Sequence, residues 1–273
     1  MTQRIPIGIV AYRPDHNVLD RLQRIMAFGS HAYVYDNSPD APLLRDFCNT
    51  HADRITYLTC GKNLGLGLAI TSVCAHAYYD GHAALLFFDQ DSIFTDTTLE
   101  FIESFVHRNP GVASSHAVVS FTSRPAAATI AGAFDLRDVP LTINSGSLYF
   151  LQSAKSIGWH NEHYFVDGVD YEYCLRASLH GYKVAECNGT PGFDHLSEQG
   201  DLPVRWLGRP RLMRKYSALR IKDSARANLR LIATSLRHLR FDFAYRFSRI
   251  LAGYLLSQLV VRISGTPNSA TST

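Results

Sequence analysis

The sequence predicts an α/β fold in which an open, largely parallel sheet is wrapped by helices. Three observations carry this. Short apolar, β-branched runs alternate with helical patterns from Ile5 to Ile93. Two of those runs stop at carboxylates, at Asp36 and at Asp89-Gln90-Asp91. A Gly-containing loop after the third run leads straight into a helix, and ligands of such sheets bind at the carboxyl ends of the strands.

Composition agrees. The chain has 273 residues and is 46% hydrophobic, enough to bury a real core. Its five cysteines (Cys48, Cys60, Cys74, Cys174, Cys187) are odd in number and lack a C-x-x-C pair. Neither a disulfide framework nor a zinc site is expected, and buried thiols in a reducing compartment are. The start, Met-Thr-Gln-Arg-Ile-Pro-Ile, has no apolar signal core, so a cytoplasmic location is expected. Residues 1–200 hold 13 Lys+Arg against 21 Asp+Glu, whereas residues 201–273 hold 14 against 3. That asymmetry predicts a domain over 1–200 and a basic appendage over 201–273.

Taken in order, Ile5 to Tyr12 reads as a strand, Arg13-Pro14-Asp15 as a break, and Val18 to Phe28 as a helix. Ala32 to Tyr35 is a second strand ending in Asp36-Asn37-Ser38-Pro39, a good turn in its own right. A helix follows through Leu44 to Thr50, then a strand over Ile55 to Leu58. Lys62-Asn63-Leu64-Gly65-Leu66-Gly67 opens a helix reaching Tyr79, with glycines that let the loop pass close to a ligand. A dinucleotide-binding fingerprint does not fit, because these glycines follow the third strand and a third glycine is missing. Leu85 to Phe88 is a strand buried on both faces that delivers Asp89 and Asp91, hard oxygen donors suited to Mg²⁺ or Mn²⁺ and so to a diphosphate. The plainer reading is a core strand whose acids cap the next helix.

Beyond it, Leu99, Ile102, Phe105 and Val106 mark a packed helix from Thr97 to Arg108, and Gly111 to Phe121 reads as a strand. Thr122 to Val139 has no period and reads as a variable loop beside the site. Asn144-Ser145-Gly146-Ser147 is a small polar turn before an apolar strand. Tyr171, Cys174, Leu175 and Leu179 fall at helical spacing, which places Asp170 near a helix N-terminus where a carboxylate is stabilised. Val184 to Glu186 closes the set as a strand, and His195 follows in a polar loop.

The order strand, Asp36, strand, Gly-rich loop, helix, strand, Asp-x-Asp resembles the GT-A nucleotide-sugar fold, a Rossmann-like design with a mixed central sheet. Phe88-Asp89-Gln90-Asp91-Ser92 resembles family 2 glycosyltransferases, and within them the bacterial rhamnosyltransferase branch that uses dTDP-L-rhamnose. The resemblance spans about residues 5–200. It implies that Asp36 reads the imide of a pyrimidine base, with Ala11 and Tyr12 in the loop against that base. Asn63, Gly65 and Gly67 match the loop beside the nucleotide. Arg13 stands where many relatives carry Asn, and either the diphosphate or solvent is open to it. Asp89 and Gln90 fall in the nucleotide-sugar contact segment, with Asp89 facing the nucleoside's sugar, and Asp91 matches the metal ligand. Ser145 and Gly146 border donor sugar and acceptor. Asp170, Glu172 and Arg176 match the Asp-x-Asp/Glu-x-x-x-Arg signature, making Asp170 the general base, with Asp167 the competing choice. His195 matches a metal or diphosphate ligand, against the plain reading of a surface histidine.

The resemblance thus implies an inverting, divalent-metal-dependent glycosyltransferase. Its partners would be a nucleotide-sugar donor and a hydroxyl on a surface polysaccharide or lipid-linked glycan. UDP-hexose and UDP-galactofuranose remain alternative donors. From Arg205 onward, arginines alternate with Leu212, Tyr216, Leu219, Leu229, Ile232, Leu236 and Leu239 at helical spacing. Basic amphipathic helices of this kind suit an anionic membrane surface, here the inner face of the cell membrane, or a homodimer contact. The uncharged run Ile250 to Val261 is shorter than the roughly 20 residues a spanning helix needs. Ser264 to Thr273 reads as disordered. Nucleic acid is not expected as a partner, since no recognised motif accompanies the basic tail and the acidic body repels a polyanion.

Overall fold

The computed structural model describes residues 4–127, 133–195, 202–206 and 209–264. Strand and helix alternate strictly at first: β1 (Ile7–Ala11), α1 (His16–Phe28), β2 (Ala32–Asp36), α2 (Pro42–Thr50), β3 (Ile55–Thr59), α3 (Leu66–Tyr79) and β4 (Ala84–Asp89). Every residue of β1 and β2 is buried, which is why these runs are continuously apolar rather than alternating. The Asp15 side chain accepts the Asn17 N–H and starts α1; Gly29 at φ 95° ends it; Val18, Leu22 and Ile25 form its buried stripe.

There follow β5 (Ser92–Ile93), α4 (Asp96–Arg108), α5 (Val112–Ser115), β6 (His116–Phe121), β7 (Asp135–Asp138), β8 (Ser147–Phe150), α6 (Leu151–Ile157), α7 (Val169–Leu179), β9 (Lys183–Asn188) and β10 (Asp194–His195). The main sheet has eight strands in the order β3-β2-β1-β4-β8-β6-β9-β7. β1 to β4 are mutually parallel, while β8 and β7 run antiparallel to their neighbours, so the sheet is mixed. Register aligns the site: Ala11 stands opposite Asp36, and Val10 opposite Asp89. The acids at the ends of β2 and β4 therefore flank the end of β1.

Three expectations need correction. The strand expected from Gly111 begins only at His116, because Val112–Ser115 makes a helical turn in which the Ser114 hydroxyl bonds the Gly111 carbonyl. The supposed loop Thr122 to Val139 contains β7, an edge strand on β9. Its Asp-Leu-Arg-Asp sequence has one apolar position, too few for a visible period, and Asp135 is held by Arg137 and Asn188. Residues 128–132 of that loop lie outside the described residues. Leu212 stands in a strand, not a helix.

That strand belongs to the second of two compact units, Met1–His195 and Leu196–Thr273. In the second unit β11 (Leu202–Trp206) and β12 (Arg209–Met213) form an antiparallel hairpin, followed by α8 (Ala218–Arg237) and α9 (Phe241–Ser264). Pro203 and Pro210 explain the correction, since proline disfavours helix at and before its own position. α8 buries Ala227 and Leu231, and α9 buries Phe243, Phe247 and Val261. Among the described residues no helix is long and apolar enough to cross a membrane. The expected disordered end, 265–273, lies outside the described residues.

Candidate active site

The carboxyl ends of β1, β2 and β4 form one edge of the site. Asp36 ends β2 and is 2% exposed. Its Oδ1 accepts the Ser38 N–H at 2.9 Å and its Oδ2 the Tyr57 hydroxyl at 2.7 Å. A base imide reaching Asp36 must therefore share an oxygen that is already bonded. Asn37 ties the same turn outward, donating its N–H to the Ala11 carbonyl and accepting the Leu64 N–H, each at 2.8 Å. Asn63 closes a local turn by accepting the Gly65 N–H at 2.9 Å.

The glycines of this loop serve a close approach by the chain itself. A Cβ on Gly65, which sits at φ 91°, would meet the Phe165 carbonyl oxygen at 2.8 Å, and one on Gly67 would meet that of Asn161 at 2.5 Å. The Leu66 N–H donates to the Phe165 carbonyl at 2.5 Å. The start of α3 is thus packed on the segment that leads into α7.

β4 carries Asp89, Gln90 and Asp91 to the same edge, and all three keep some exposure. Ser92 is buried, and its hydroxyl lies 2.6 Å from that of buried Ser145. Gly146, at φ 72°, donates its N–H to the Phe87 carbonyl at 2.9 Å and leaves no room for a Cβ against Phe193. The Ser145-Gly146 turn is therefore fixed against the end of β4.

α7 brings the other acids. Gly168 at φ 81° precedes it, and Asp170 is its second residue. The residue keeps some surface, yet protein atoms surround its carboxyl. Lost hydration raises its pKa to about 7; the Tyr171 and Asp170 backbone N–H groups pull it down, and the charges of Asp89 and Asp167 push it further up. The charges of Asp89, from the end of β4, and of Asp167, from the turn before α7, thus both reach Asp170. Glu172 differs. It is 5% exposed and takes the Arg176 guanidinium in two bonds, 2.6 Å to Oε1 and 2.9 Å to Oε2. Arg176 also donates to the Ile157 and Trp159 carbonyls, so this pair pins the segment 157–161 rather than facing the acids.

Asp89 and Asp91 are the carboxylates at this strand end that could hold a metal ion. Among the described residues no three His, Cys, Asp or Glu side chains converge on one point. Mg²⁺ and Mn²⁺ need no such cage, because one or two carboxylates suffice when water and phosphate oxygens complete the shell. The donor set fits that mode. The backbone of His195 pairs with Ser92, one residue beyond Asp91, and its side chain lies outside the described residues. Sequence reasoning passed over Tyr57, Ser38, Ser92 and Asn161 as positioning residues. Ser38 and Ser92 sat inside the quoted motifs, whereas nothing in a strand sequence marks which tyrosine will reach Asp36.

A parallel β3-β2-β1-β4 half, an acid-x-acid strand end continued by the β5–β10 ribbon, and an acid-bearing helix, α7, leading into the mixed β8-β6-β9-β7 half make a specific combination. The chain has the GT-A fold. No family model matches it, and no curated protein matches it at a significant level. Solved GT-A structures do. S. aureus TarS 1–349 in complex with UDP-GlcNAc aligns over 96% of this chain and 74% of its own, at 14% identity and a TM-score of 0.51. GalNAc-T7 with UDP, GalNAc and Mn²⁺ aligns over 93% of this chain and 57% of its own, at 9% identity and a TM-score of 0.57. A longer S. aureus TarS structure aligns over 70% of this chain, which spans only 36% of that protein, at 14% identity and a TM-score of 0.51.

Proposed function

We propose that this chain is an inverting, divalent-metal-dependent glycosyltransferase. The observation that carries the reading is the placement of the Asp89-Gln90-Asp91 strand end beside β1 and β2, with the carboxyl of Asp170, at the start of α7, enclosed by protein and near enough for the charge of Asp89 to reach it. Asp170 takes the proton of the acceptor hydroxyl; the freed oxygen attacks the anomeric carbon; the bond to the diphosphate breaks and its electron pair leaves on the phosphate oxygen. Single displacement inverts the anomeric centre. A divalent ion on Asp91, with Asp89 beside it, would supply charge for the leaving diphosphate.

The favoured donor is dTDP-L-rhamnose, on the resemblance of Asp89-Gln90-Asp91-Ser92, and the acceptor a surface polysaccharide or lipid-linked glycan. A UDP-sugar is the second reading, favoured by the likeness to folds crystallised with UDP and UDP-GlcNAc. Release of nucleoside diphosphate across a panel of nucleotide sugars, with Mg²⁺ or Mn²⁺, separates the two. Asp91→Asn abolishes the metal-dependent part while the melting temperature holds. A product that retains the donor's anomeric configuration overturns the mechanism.

The second unit acts, in this reading, as a peripheral membrane element. Lys222, Arg226, Arg230 and Arg237 are exposed on α8 among Leu219, Leu229 and Leu236, themselves 81%, 58% and 47% exposed. Each basic residue near an anionic leaflet contributes roughly 1 kcal/mol, and arginine stems lie readily along apolar surface. Flotation with phosphatidylserine vesicles, strong at low salt and lost at high salt, supports it; absence of flotation with a stable dimer leaves the dimer contact instead.

A further inference from the structure

Gln90 stands between the two acids at the end of β4, but its side chain turns back onto the loop after β1. Its Oε1 accepts the Tyr12 N–H at 2.8 Å, and its Nε2 donates to the Tyr12 carbonyl at 3.2 Å. A primary amide is suited to this, since it offers one acceptor and one donor to the same residue. The neighbouring Arg13 is held at φ 49°, a left-handed conformation that a residue with a Cβ rarely adopts. Its N–H donates to the Ser38 hydroxyl at 2.8 Å, and the Asn37 N–H reaches the Ala11 carbonyl. The loop is thus fixed from β2 on one side and from β4, through Gln90, on the other.

What this loop presents is Tyr12, 38% exposed as a residue, with the Arg13 guanidinium carbon 5.3 Å from its ring centroid. An exposed aromatic face backed by a cation, at the row of strand ends, is a platform on which a flat base can stack. We propose that Gln90 is a positioning residue for the donor nucleotide: it straps Tyr12 and Arg13 into that platform and acts through them rather than through the metal. This rests on the nucleotide-sugar reading above.

Titration calorimetry with UDP and with dTDP tests it, in Mg²⁺ and in EDTA. Gln90→Ala loses two bonds to the loop and weakens nucleoside diphosphate binding about tenfold in both buffers. The donor KM rises in step while kcat at saturating donor stays within about threefold. Gln90→Met keeps the length of the side chain, adds no charge and loses both bonds, so it weakens binding as Gln90→Ala does, and it decides the matter if the alanine variant fails to fold. In a Tyr12→Ala background, Gln90→Ala costs less than about twofold, because the two act as one unit. Wild-type affinity in Gln90→Ala, a loss confined to Mg²⁺, or full additivity with Tyr12→Ala each overturns the proposal. If neither UDP nor dTDP binds the wild type, the glycosyltransferase reading fails first and this one with it.

Discussion

Asp170 and Glu172 lie two residues apart in the first turns of α7, and their surroundings are opposite. Glu172 is covered and gripped by Nε and Nη2 of Arg176, which spends its remaining N–H groups on the Ile157 and Trp159 carbonyls. Asp170 has backbone N–H groups for stabilisation and acids for neighbours. One turn of helix thus holds an acid locked to an arginine and an acid poised to change its charge near neutrality. Mutations at Asp170 should register in chemistry and those at Glu172 in stability.

Asp170→Asn should have the largest effect, a loss of about 10³-fold in kcat, the scale of a general base. It should also stabilise the protein. A carboxyl whose folded pKa lies above its unfolded value contributes stability that is complete at low pH and is lost as pH rises through about 7. The variant should therefore be more stable than wild type at pH 8, by on the order of 4 kcal/mol and with a higher melting temperature, and the difference should vanish near pH 4. A lower melting temperature at pH 8 would refute the assignment of the shift.

Glu172→Gln should do the reverse. Leaving the Arg176 guanidinium without its carboxylate costs on the order of 3 kcal/mol, measured by denaturant unfolding. Activity should fall only as far as the displaced 157–161 segment disturbs the start of α7. A catalytic loss as large as that of Asp170→Asn, in a protein of wild-type stability, would erase the distinction between the two acids.

Which acid is which was legible in sequence only through family resemblance. Asp167, Asp170 and Glu172 are carboxylates within one short stretch at the start of a helical pattern, and their spacing from one another cannot say which one finds an arginine. The i,i+4 placement of Glu172 and Arg176 was the available local clue. The βα alternation was readable because buried parallel strands are continuously apolar, as β1, β2 and β4 are. β7 was not, being an edge strand on β9 with a single apolar residue, Leu136. Nor was the β11–β12 hairpin, whose arginines and leucines fit helical spacing by chance. Gly65 and Gly67 read as room for a ligand, whereas the room is used by Phe165 and Asn161.

Asp167→Asn should give the smallest effect and the sharpest one. Removing a neighbouring negative charge lowers the Asp170 pKa, so the acid limb of the kcat/KM profile should move to lower pH with little change in its plateau. A tenfold plateau loss would instead make Asp167 the base.

The most direct measurement is a carboxyl ¹³C NMR titration with the aspartates labelled, comparing wild type with Asp170→Asn in the absence of metal. One aspartate should titrate with a midpoint of about 7, and its signal should be missing from the variant. Aspartates that all titrate in the ordinary carboxylate range, with no resonance moving near neutrality, would contradict a base poised at Asp170.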